Sequence, residues 1–153
     1  MNWMKKVAVA LVCLLPLGLQ AAKIDTLQVK SPSMNKSIEV VVVSPDVAAT
    51  KACPVIYLLH GYGGNACTWV GIKPDLPKIA DEKGIFFVCP DGKNTWYWDS
   101  PLNADVRYET FISNELVKYV DSHYKTVADR KGRAITGLSM GGHGALWLAI
   151  RHK

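Results

Sequence analysis

Short apolar runs and segments with helical spacing alternate along this chain. Residues 36–44 are rich in β-branched side chains, which favours a strand. Residues 54–60 and 85–90 are continuous apolar runs, the pattern of strands that are covered on both faces of a sheet. Residues 133–136 form a further short run with strand character, followed by a glycine. We predict a strand at each of these four places.

Segments with helical periodicity separate these strands. Residues 76–83 predict a short helix, and Gly84 is placed to end it. Between residues 107 and 124 the apolar side chains recur at helical spacing, and an apolar helix is predicted from Met140 onward. Because strands that alternate with helices pair in parallel, the sequence predicts an α/β fold. Its sheet is expected to be mostly parallel, with helices on both faces.

Length and composition limit the chain to one globular domain. It has 153 residues, of which 49% are apolar and 20% are charged, so a disordered polyelectrolyte is excluded. The sequence contains no internal repeat and no low-complexity linker. A polar and aromatic stretch at residues 91–105 is predicted to be a long loop.

Residues 1–22 carry the pattern of a signal peptide. Two lysines open it, residues 7–19 form an apolar run of 13, and Ala21 and Ala22 provide the small residues of a cleavage site. A membrane-spanning helix needs about 20 apolar residues, and the polar Gln20 closes this run earlier. We therefore expect export to the periplasm or outside the cell, which leaves a domain over residues 23–153. An uncleaved membrane anchor is the alternative.

Charge and cysteine content exclude several classes of partner. Without the predicted signal the chain carries 16 basic and 13 acidic side chains, scattered without a basic run, so we expect no nucleic-acid partner. Cys53 and Cys89 lie in apolar runs and are predicted to be buried, and together with Cys67 they leave at least one thiol unpaired. No C-x-x-C or H-E-x-x-H pattern occurs, so we expect no metal site and no cofactor.

Residues 137–141, Gly-Leu-Ser-Met-Gly, match the pattern G-x-S-x-G. In a nucleophile elbow a strand precedes this pattern and a helix follows it, so that a tight turn lifts the serine hydroxyl above the sheet. The predicted strand at residues 133–136 and the helix from Met140 supply that context. We predict that Ser139 is a catalytic nucleophile. A simple helix N-cap is the alternative role.

A serine that attacks an acyl carbonyl also needs hydrogen-bond donors for the oxyanion. One is expected from the backbone N–H of Met140, directly after the nucleophile. The second comes from the loop after an earlier strand, where His-Gly-Tyr-Gly-Gly occupies residues 60–64. We predict the backbone N–H of Tyr62 as this second donor. A glycine-rich turn without a catalytic role is the alternative.

Five motifs together resemble a known family. They are HGYGG at 60–64, PDG at 90–92, WYWDSP at 96–101, YETFISNEL at 108–116 and GLSMGGHGAL at 137–146. In this order they look like the esterase D family of α/β-hydrolases. That group holds S-formylglutathione hydrolases, feruloyl and acetylxylan esterases, and mycolyltransferases. The resemblance implies an α/β-hydrolase fold, Ser139 as nucleophile, and the Tyr62 and Met140 amides as oxyanion hole.

Aromatic side chains in the predicted long loop are candidates for substrate contact. Trp96 and Trp98 lie where such a loop can overhang the site, and their faces suit stacking on a sugar or a cinnamoyl ring. Packing of the loop against the domain is the alternative. Asp91 and Asp99 precede the serine in the chain, and we interpret them as turn and loop residues rather than as catalytic acids.

A general base and its carboxylate partner are not found at the expected places. In this fold the order along the chain is Ser, then Asp or Glu, then His, but the 14 residues after Ser139 contain no acidic side chain. His143 and His152 are predicted on the helix that leaves the elbow, and His123 ends the helix before it. His60 opens the predicted oxyanion loop. We therefore expect a truncated sequence, in which the base and acid follow residue 153 and residues 133–136 form an exposed sheet edge.

These observations predict an exported serine carboxylic-ester hydrolase. The resemblance favours acetyl or feruloyl esters of carbohydrates, processed through an acyl-enzyme, and the substrate is expected to be a small-molecule or polysaccharide ester. No membrane contact is expected after signal cleavage, and no oligomeric state is indicated. The chain alone is expected to be inactive. An acyltransferase of the same fold and a non-catalytic, carbohydrate-binding remnant are the alternatives.

Overall fold

The apolar runs at residues 36–44, 54–60 and 85–90 form the centre of a five-stranded mixed sheet. The computed structural model describes residues 22–152, so the predicted signal peptide, apart from Ala22, lies outside the described residues. The strands are ordered β1-β2-β4-β3-β5 across the sheet. Their bounds are β1 Lys23–Ser31, β2 Lys36–Ser44, β3 Val55–Leu59, β4 Phe86–Pro90 and β5 Arg133–Gly137.

The pairing of the strands brings three loops to one edge. β1 pairs with β2, and β2 with β4, in antiparallel directions, whereas β3 is parallel to both β4 and β5. The carboxyl ends of β3, β4 and β5 therefore lie at the same edge, and the loops that follow them converge there. The four predicted strands are confirmed. β1 was not predicted, because its inward positions include Asp25 and Ser31 and so show little hydrophobic alternation.

The helices predicted at residues 76–83, within 107–124 and from Met140 onward are present, whereas the helix at Thr68–Ile72 was not predicted. Their bounds are α1 Thr68–Ile72, α2 Leu76–Lys83, α3 Tyr108–Thr110, α4 Val117–His123 and α5 Met140–Arg151, with 3₁₀ turns at Asp46–Ala49 and Arg130–Gly132. The prediction that Gly84 ends α2 is confirmed, because this glycine adopts the left-handed conformation at φ +62°.

The segment between residues 107 and 124 is helical but not a regular α-helix. A π-helical stretch, Phe111–Leu116, joins α3 to α4. Ile112, Leu116 and Val120 are all buried and are spaced by four residues, which is wider than the 3.6 residues of an α-helical turn. The wider π turn keeps these side chains on the face that packs against the sheet.

Helices cover both faces of the sheet, as predicted. One core cluster lies between the strands and α3, the π-helical stretch, α4 and α5, and it includes Tyr57, Leu116 and Leu148. The other lies under α1 and α2 and includes Val41 and Cys89. The predicted burial of Cys53 and Cys89 is confirmed.

β5 lies at one side of the sheet. Among residues 22–152 it pairs only with β3, and its side chains at Ala134 and Thr136 are exposed. Leu146 and Ile150 on α5 are also exposed, each at 68%. Within this described range, no helix combines the length and apolar character needed to cross a bilayer.

Candidate active site

Ser139 lies at the tight turn between β5 and α5. Its backbone angles, φ +49° and ψ −112°, are ones that residues with a side chain rarely adopt. The turn is held by two backbone hydrogen bonds: Leu138 N–H donates to Leu59 O at 3.1 Å, and Gly141 N–H donates to Leu138 O at 2.7 Å. The serine side chain is exposed, and within residues 22–152 its hydroxyl makes no hydrogen bond. This is the geometry that a nucleophile elbow requires.

The two glycines of the G-x-S-x-G pattern have a steric cause. A Cβ atom on Gly137 would lie 2.4 Å from the carbonyl carbon of Gly141, and a Cβ on Gly141 would lie 2.2 Å from Leu59 O. Both distances are too short for any side chain. The turn can therefore pack against the end of β3 only with glycine at both positions.

The glycine-rich loop at residues 60–64 lies directly beside the elbow. A Cβ atom on Gly61 would be 3.7 Å from the Cβ of Ser139. Within the loop, Gly64 N–H donates to Gly61 O at 3.0 Å, and Gly63 N–H donates to the side-chain oxygen of Asn94 at 2.7 Å. Two of the loop's amides are therefore occupied.

The predicted oxyanion donors, Tyr62 and Met140, both have free amides. Among the described residues neither N–H donates to a protein acceptor. Met140 is the first residue of α5, where the helix leaves its N–H groups without intrahelical acceptors and the helix dipole favours negative charge. Tyr62 is 66% exposed. Both amides are therefore available as donors, Met140 directly after Ser139 and Tyr62 one residue after Gly61.

His60 is a buried structural residue of this loop. Gly92 N–H donates to its Nε2 at 2.9 Å, so Nε2 carries no proton, and we assign Nδ1–H as donor to Gly61 O at 2.7 Å. Its carbonyl oxygen accepts from the Tyr97 hydroxyl at 2.9 Å. Both ring nitrogens are thus used in fixing the loop, and neither is free to take a proton from Ser139.

Asp91 lies next to His60 and is ionised. Burial by itself would raise its pKa, yet the pKa is held well below its ordinary range. The Lys93 ammonium group at 2.6 Å and the Lys93 N–H at 2.9 Å provide the stabilisation. The Nε2 of His60, 3.5 Å away, has no proton to donate. Asp91 therefore has a structural role, as its interpretation as a turn residue implied.

The other histidines are held away from the serine hydroxyl. His123 bonds through Nδ1 to Tyr119 O at 2.8 Å, at the far end of α4. His152 bonds to Glu109 at 2.8 Å, beyond the end of α5 and about 20 Å from Ser139 at 1.5 Å per residue. His143 is one turn along α5 and is exposed, with its ring edge-on to Trp96. Among the described residues, no histidine contacts the hydroxyl of Ser139.

The predicted substrate-contact residues flank a buried tyrosine. Trp96 is 47% exposed and Trp98 is 44% exposed, and the Trp96 ring lies 5.4 Å from the His143 ring, next to the elbow helix. No contact places Trp98 beside Ser139. Tyr97 between them is fully buried, and a Cβ on Gly144 would lie 2.4 Å from its ring.

Sequence reasoning missed the roles of Asn94 and Tyr97. Both lie in the loop after β4 and bond to the loop after β3, more than 30 residues earlier in the chain. The WYWDSP motif shows that the loop is aromatic, but no neighbouring residue in the sequence indicates that the Tyr97 ring is buried. Asn94 carried no signal at all.

A second network ties α5 to the start of the helical segment. The buried Glu109 accepts hydrogen bonds from Trp147 Nε1 at 2.8 Å, Arg151 Nε at 2.7 Å and His152 Nε2 at 2.8 Å. Burial raises the pKa of Glu109, but these donors outweigh burial and lower it. Within residues 22–152, no group of three or more His, Cys, Asp or Glu side chains converges in a way that could hold a metal ion.

The fold and this site define the class of protein. A strained, exposed serine between a parallel strand and a helix, beside a glycine-rich loop that follows an earlier strand, has the geometry of the nucleophile elbow of an α/β-hydrolase. The family model described as Putative esterase matches residues 31–153, and the chain belongs to this family. The resemblance to the esterase D group is confirmed.

Relatives of known description are esterases. An esterase of Mycobacterium tuberculosis is 29% identical over 132 residues, which cover 82% of this chain and 28% of the relative. An acetyl esterase of Caldicellulosiruptor saccharolyticus is 33% identical over 98 residues, which cover 63% of this chain and 36% of the relative. The chain thus spans about a third of the length of these relatives.

Solved structures share the fold. A ferulic acid esterase structure is 30% identical and superposes with a TM-score of 0.74, covering 86% of this chain and 54% of that one. An S-formylglutathione hydrolase of Agrobacterium tumefaciens, at 24% identity, has a TM-score of 0.75 with the same coverage. The chain spans about half the length of these structures.

Proposed function

We propose that Ser139 is the nucleophile of an exported serine esterase. The observation that carries this proposal is the position of Ser139. Its exposed hydroxyl lies on a strained turn beside Gly61, and the amides of Tyr62 and Met140 are free at the same place. Strain at one serine is retained only where the surrounding structure enforces it, and such strain clusters at active sites.

The reaction proceeds through an acyl-enzyme. Ser139 Oγ attacks the ester carbonyl carbon and gives its proton to a general base, and the carbonyl oxygen becomes an oxyanion that accepts from the Tyr62 and Met140 amides. Collapse of this intermediate breaks the ester bond, and the base returns the proton to the leaving alcohol. The base then takes a proton from water, which attacks the acyl-serine carbonyl, and collapse of this second intermediate releases the carboxylic acid as the base returns the proton to Ser139 Oγ. We assign the base and its acidic partner to residues outside 22–152, so residues 22–152 alone are inactive.

We further propose that the substrate is an acetyl or feruloyl ester of a carbohydrate. The descriptions of two relatives, an acetyl esterase and a ferulic acid esterase, support an acetyl or feruloyl acyl group. The half-exposed rings of Trp96 and Trp98 offer faces for a sugar or an aromatic acyl group. The signal-like pattern of residues 1–22 supports an exported enzyme, which agrees with a substrate outside the cytoplasm.

The test is hydrolysis of p-nitrophenyl acetate by the complete gene product, compared with its Ser139→Ala variant. We expect the substitution to reduce turnover by a factor of at least about 1,000, since removal of a serine nucleophile can cost about 10⁶ in kcat. A Ser139→Ala variant with full activity would refute the proposal. Addition of an acceptor sugar, with analysis for transferred acyl product, identifies an acyltransferase instead.

A further inference from the structure

A polar cavity lies at the same edge of the sheet as Ser139, near β1 and β2. These strands stand at the opposite end of the strand order from β5. Its volume is about 350 Å³. Six polar residues line it: Gln28, Ser37, Glu39, Asn65, Asp91 and Lys93. Every one of them lies within residues 22–152, and none belongs to the β5 side of the domain.

The cavity arises from a polar row across an otherwise apolar face. Gln28 on β1 pairs with Glu39 on β2, and Asp91 N–H donates to Glu39 O at 2.9 Å. Glu39 is two residues before Val41, and Asp91 is two residues after Cys89. Because side chains two apart share a face of the sheet, this row continues the face whose core lies under α2.

The groups that face the cavity are only partly used by the protein. Glu39 is half-buried, and within the described range its carboxylate has no hydrogen-bond or ion-pair partner; the same holds for the Gln28 amide. Asn65 uses its side-chain oxygen to accept from Cys67 N–H, which leaves its amide hydrogens free. Carboxylate oxygens that only accept stand next to amide and ammonium groups that donate.

This mixture of groups selects a class of ligand. Hydroxyl groups both donate and accept, so a neutral, hydroxyl-rich ligand can satisfy the acceptors at Glu39 and the donors at Asn65 at the same time. A multivalent metal ion is not favoured, because no group of three His, Cys, Asp or Glu side chains converges here among residues 22–152. An anion would meet the carboxylates of Glu39 and Asp91.

The distance from the nucleophile defines which part of a substrate could reach the cavity. β4 and β3 separate β2 from β5, so strand spacing of about 4.8 Å puts Glu39 on β2 about 14 Å from Ser139 along the edge. An acetyl group bound at Ser139 cannot span this distance. We propose that the cavity is a subsite for a neutral sugar unit of an extended alcohol, several units away from the ester bond. This inference rests on the esterase function proposed for Ser139.

Binding of unacylated oligosaccharides tests the subsite without any reaction. The probes are xylohexaose and cellohexaose, added to the ¹⁵N-labelled complete gene product while the side-chain amide signals of Gln28 and Asn65 are followed by NMR. We expect saturable shifts at both residues and none at Asn103, which lies in an exposed loop outside the cavity. Glu39→Ala should weaken binding about tenfold, the effect of losing a hydrogen bond to a charged group. Gln28→Ala, at an exposed edge position, should weaken it less.

The outcomes separate this subsite from the proposed chemistry. Ser139→Ala should leave oligosaccharide binding unchanged, and Glu39→Ala should leave p-nitrophenyl acetate hydrolysis unchanged while lowering kcat/KM for acetylated xylan. The subsite proposal is overturned if neither oligosaccharide shifts the side-chain amide signals of Gln28 and Asn65. It is also overturned if Glu39→Ala and Gln28→Ala both bind the oligosaccharides as tightly as the wild type. If the protein binds an added amine or metal ion but no sugar, and if Glu39→Gln and Glu39→Ala weaken that binding equally, the cavity is a cation site instead.

Discussion

Asn94 accepts a hydrogen bond from the backbone N–H of Gly63 at 2.7 Å, and this contact joins the loop after β4 to the loop beside Ser139. Gly63 has φ +79° and follows Tyr62, whose free amide we propose as an oxyanion donor. Asn94 therefore acts as a positioning residue. We expect Asn94→Ala to lower kcat for ester hydrolysis about tenfold with little change in KM, because the oxyanion forms only after substrate has bound.

The matched control is Asn94→Asp. An aspartate keeps an oxygen that can accept from Gly63 N–H, so most of kcat should return. Steady-state kinetics of the complete gene product with p-nitrophenyl acetate measures both variants. If Asn94→Ala keeps the wild-type kcat, or if Asp and Ala are equally impaired, Asn94 does not position the oxyanion loop.

The ring of Tyr97 lies between two glycines, so a larger residue at either glycine should clash with it. A Cβ on Gly144 would lie 2.4 Å from this ring, and one on Gly92 would lie 2.1 Å from it. The ring cannot move aside, because Tyr97 is fully buried and its hydroxyl bonds to His60 O. We expect Gly144→Ala to lower the free energy of unfolding by about 1–3 kcal/mol in urea titrations, despite the better helix propensity of alanine.

Gly71 in α1 provides the control for this helix substitution. It is exposed, and a Cβ there would meet no atom within 4 Å. Gly71→Ala should leave stability unchanged or raise it by up to about 1 kcal/mol. Equal effects of alanine at positions 71 and 144 would mean that Tyr97 does not fill the space beside α5.

The backbone strain at Ser139 predicts a gain in stability when the serine is replaced by glycine. Glycine adopts positive φ without a steric penalty, whereas alanine keeps the penalty of serine. We expect Ser139→Gly to be about 1 kcal/mol more stable than Ser139→Ala by chemical denaturation, although both variants lose the hydroxyl. Equal stability of the two variants would contradict a strained turn.

The ionisation of Glu109 should make the free energy of unfolding depend on pH. Since its donors lower the pKa in the folded state, its contribution is complete above the ordinary carboxyl pKa of about 4.3 and is lost as the pH falls through the lower folded value. Glu109→Gln should cost about 1–3 kcal/mol at pH 7, because the bonds to Arg151 and His152 lose their charge. The difference between the two proteins should shrink as the pH is lowered to 3.

Denaturant titrations at pH 7, 4 and 3 measure this effect. Lys78→Met serves as control, because the pair that Lys78 forms with Glu82 is exposed. A constant difference between wild type and Glu109→Gln at all three pH values would show that ionisation of Glu109 does not stabilise the fold.

The features that sequence alone predicted are those encoded by neighbouring residues. Gly84 ends a helix, and the pattern around Ser139 forms a turn between a strand and a helix, because in each case the residues that decide the structure are adjacent. β1 was not predicted because it is an edge strand. Its pairing with β2 is made by backbone hydrogen bonds, which do not require a strong hydrophobic alternation in the sequence.

The features that sequence did not predict depend on contacts between distant segments. Asn94 matters only because the fold brings it to Gly63, and Tyr97 is buried only because Gly92 and Gly144 leave space on both sides of its ring. The π-helical stretch follows from a buried face spaced by four residues, which was visible in the sequence but is also compatible with an α-helix.

Covalent labelling tests the role of Ser139 most directly. The complete gene product is incubated with a fluorophosphonate, which forms a stable bond with an activated serine, and the modified peptide is identified by mass spectrometry. We predict one adduct, on Ser139, which is absent from Ser139→Ala and slowed in Asn94→Ala. An adduct on another residue, or hydrolysis of p-nitrophenyl acetate that persists in Ser139→Ala, would contradict the assignment of Ser139 as the nucleophile.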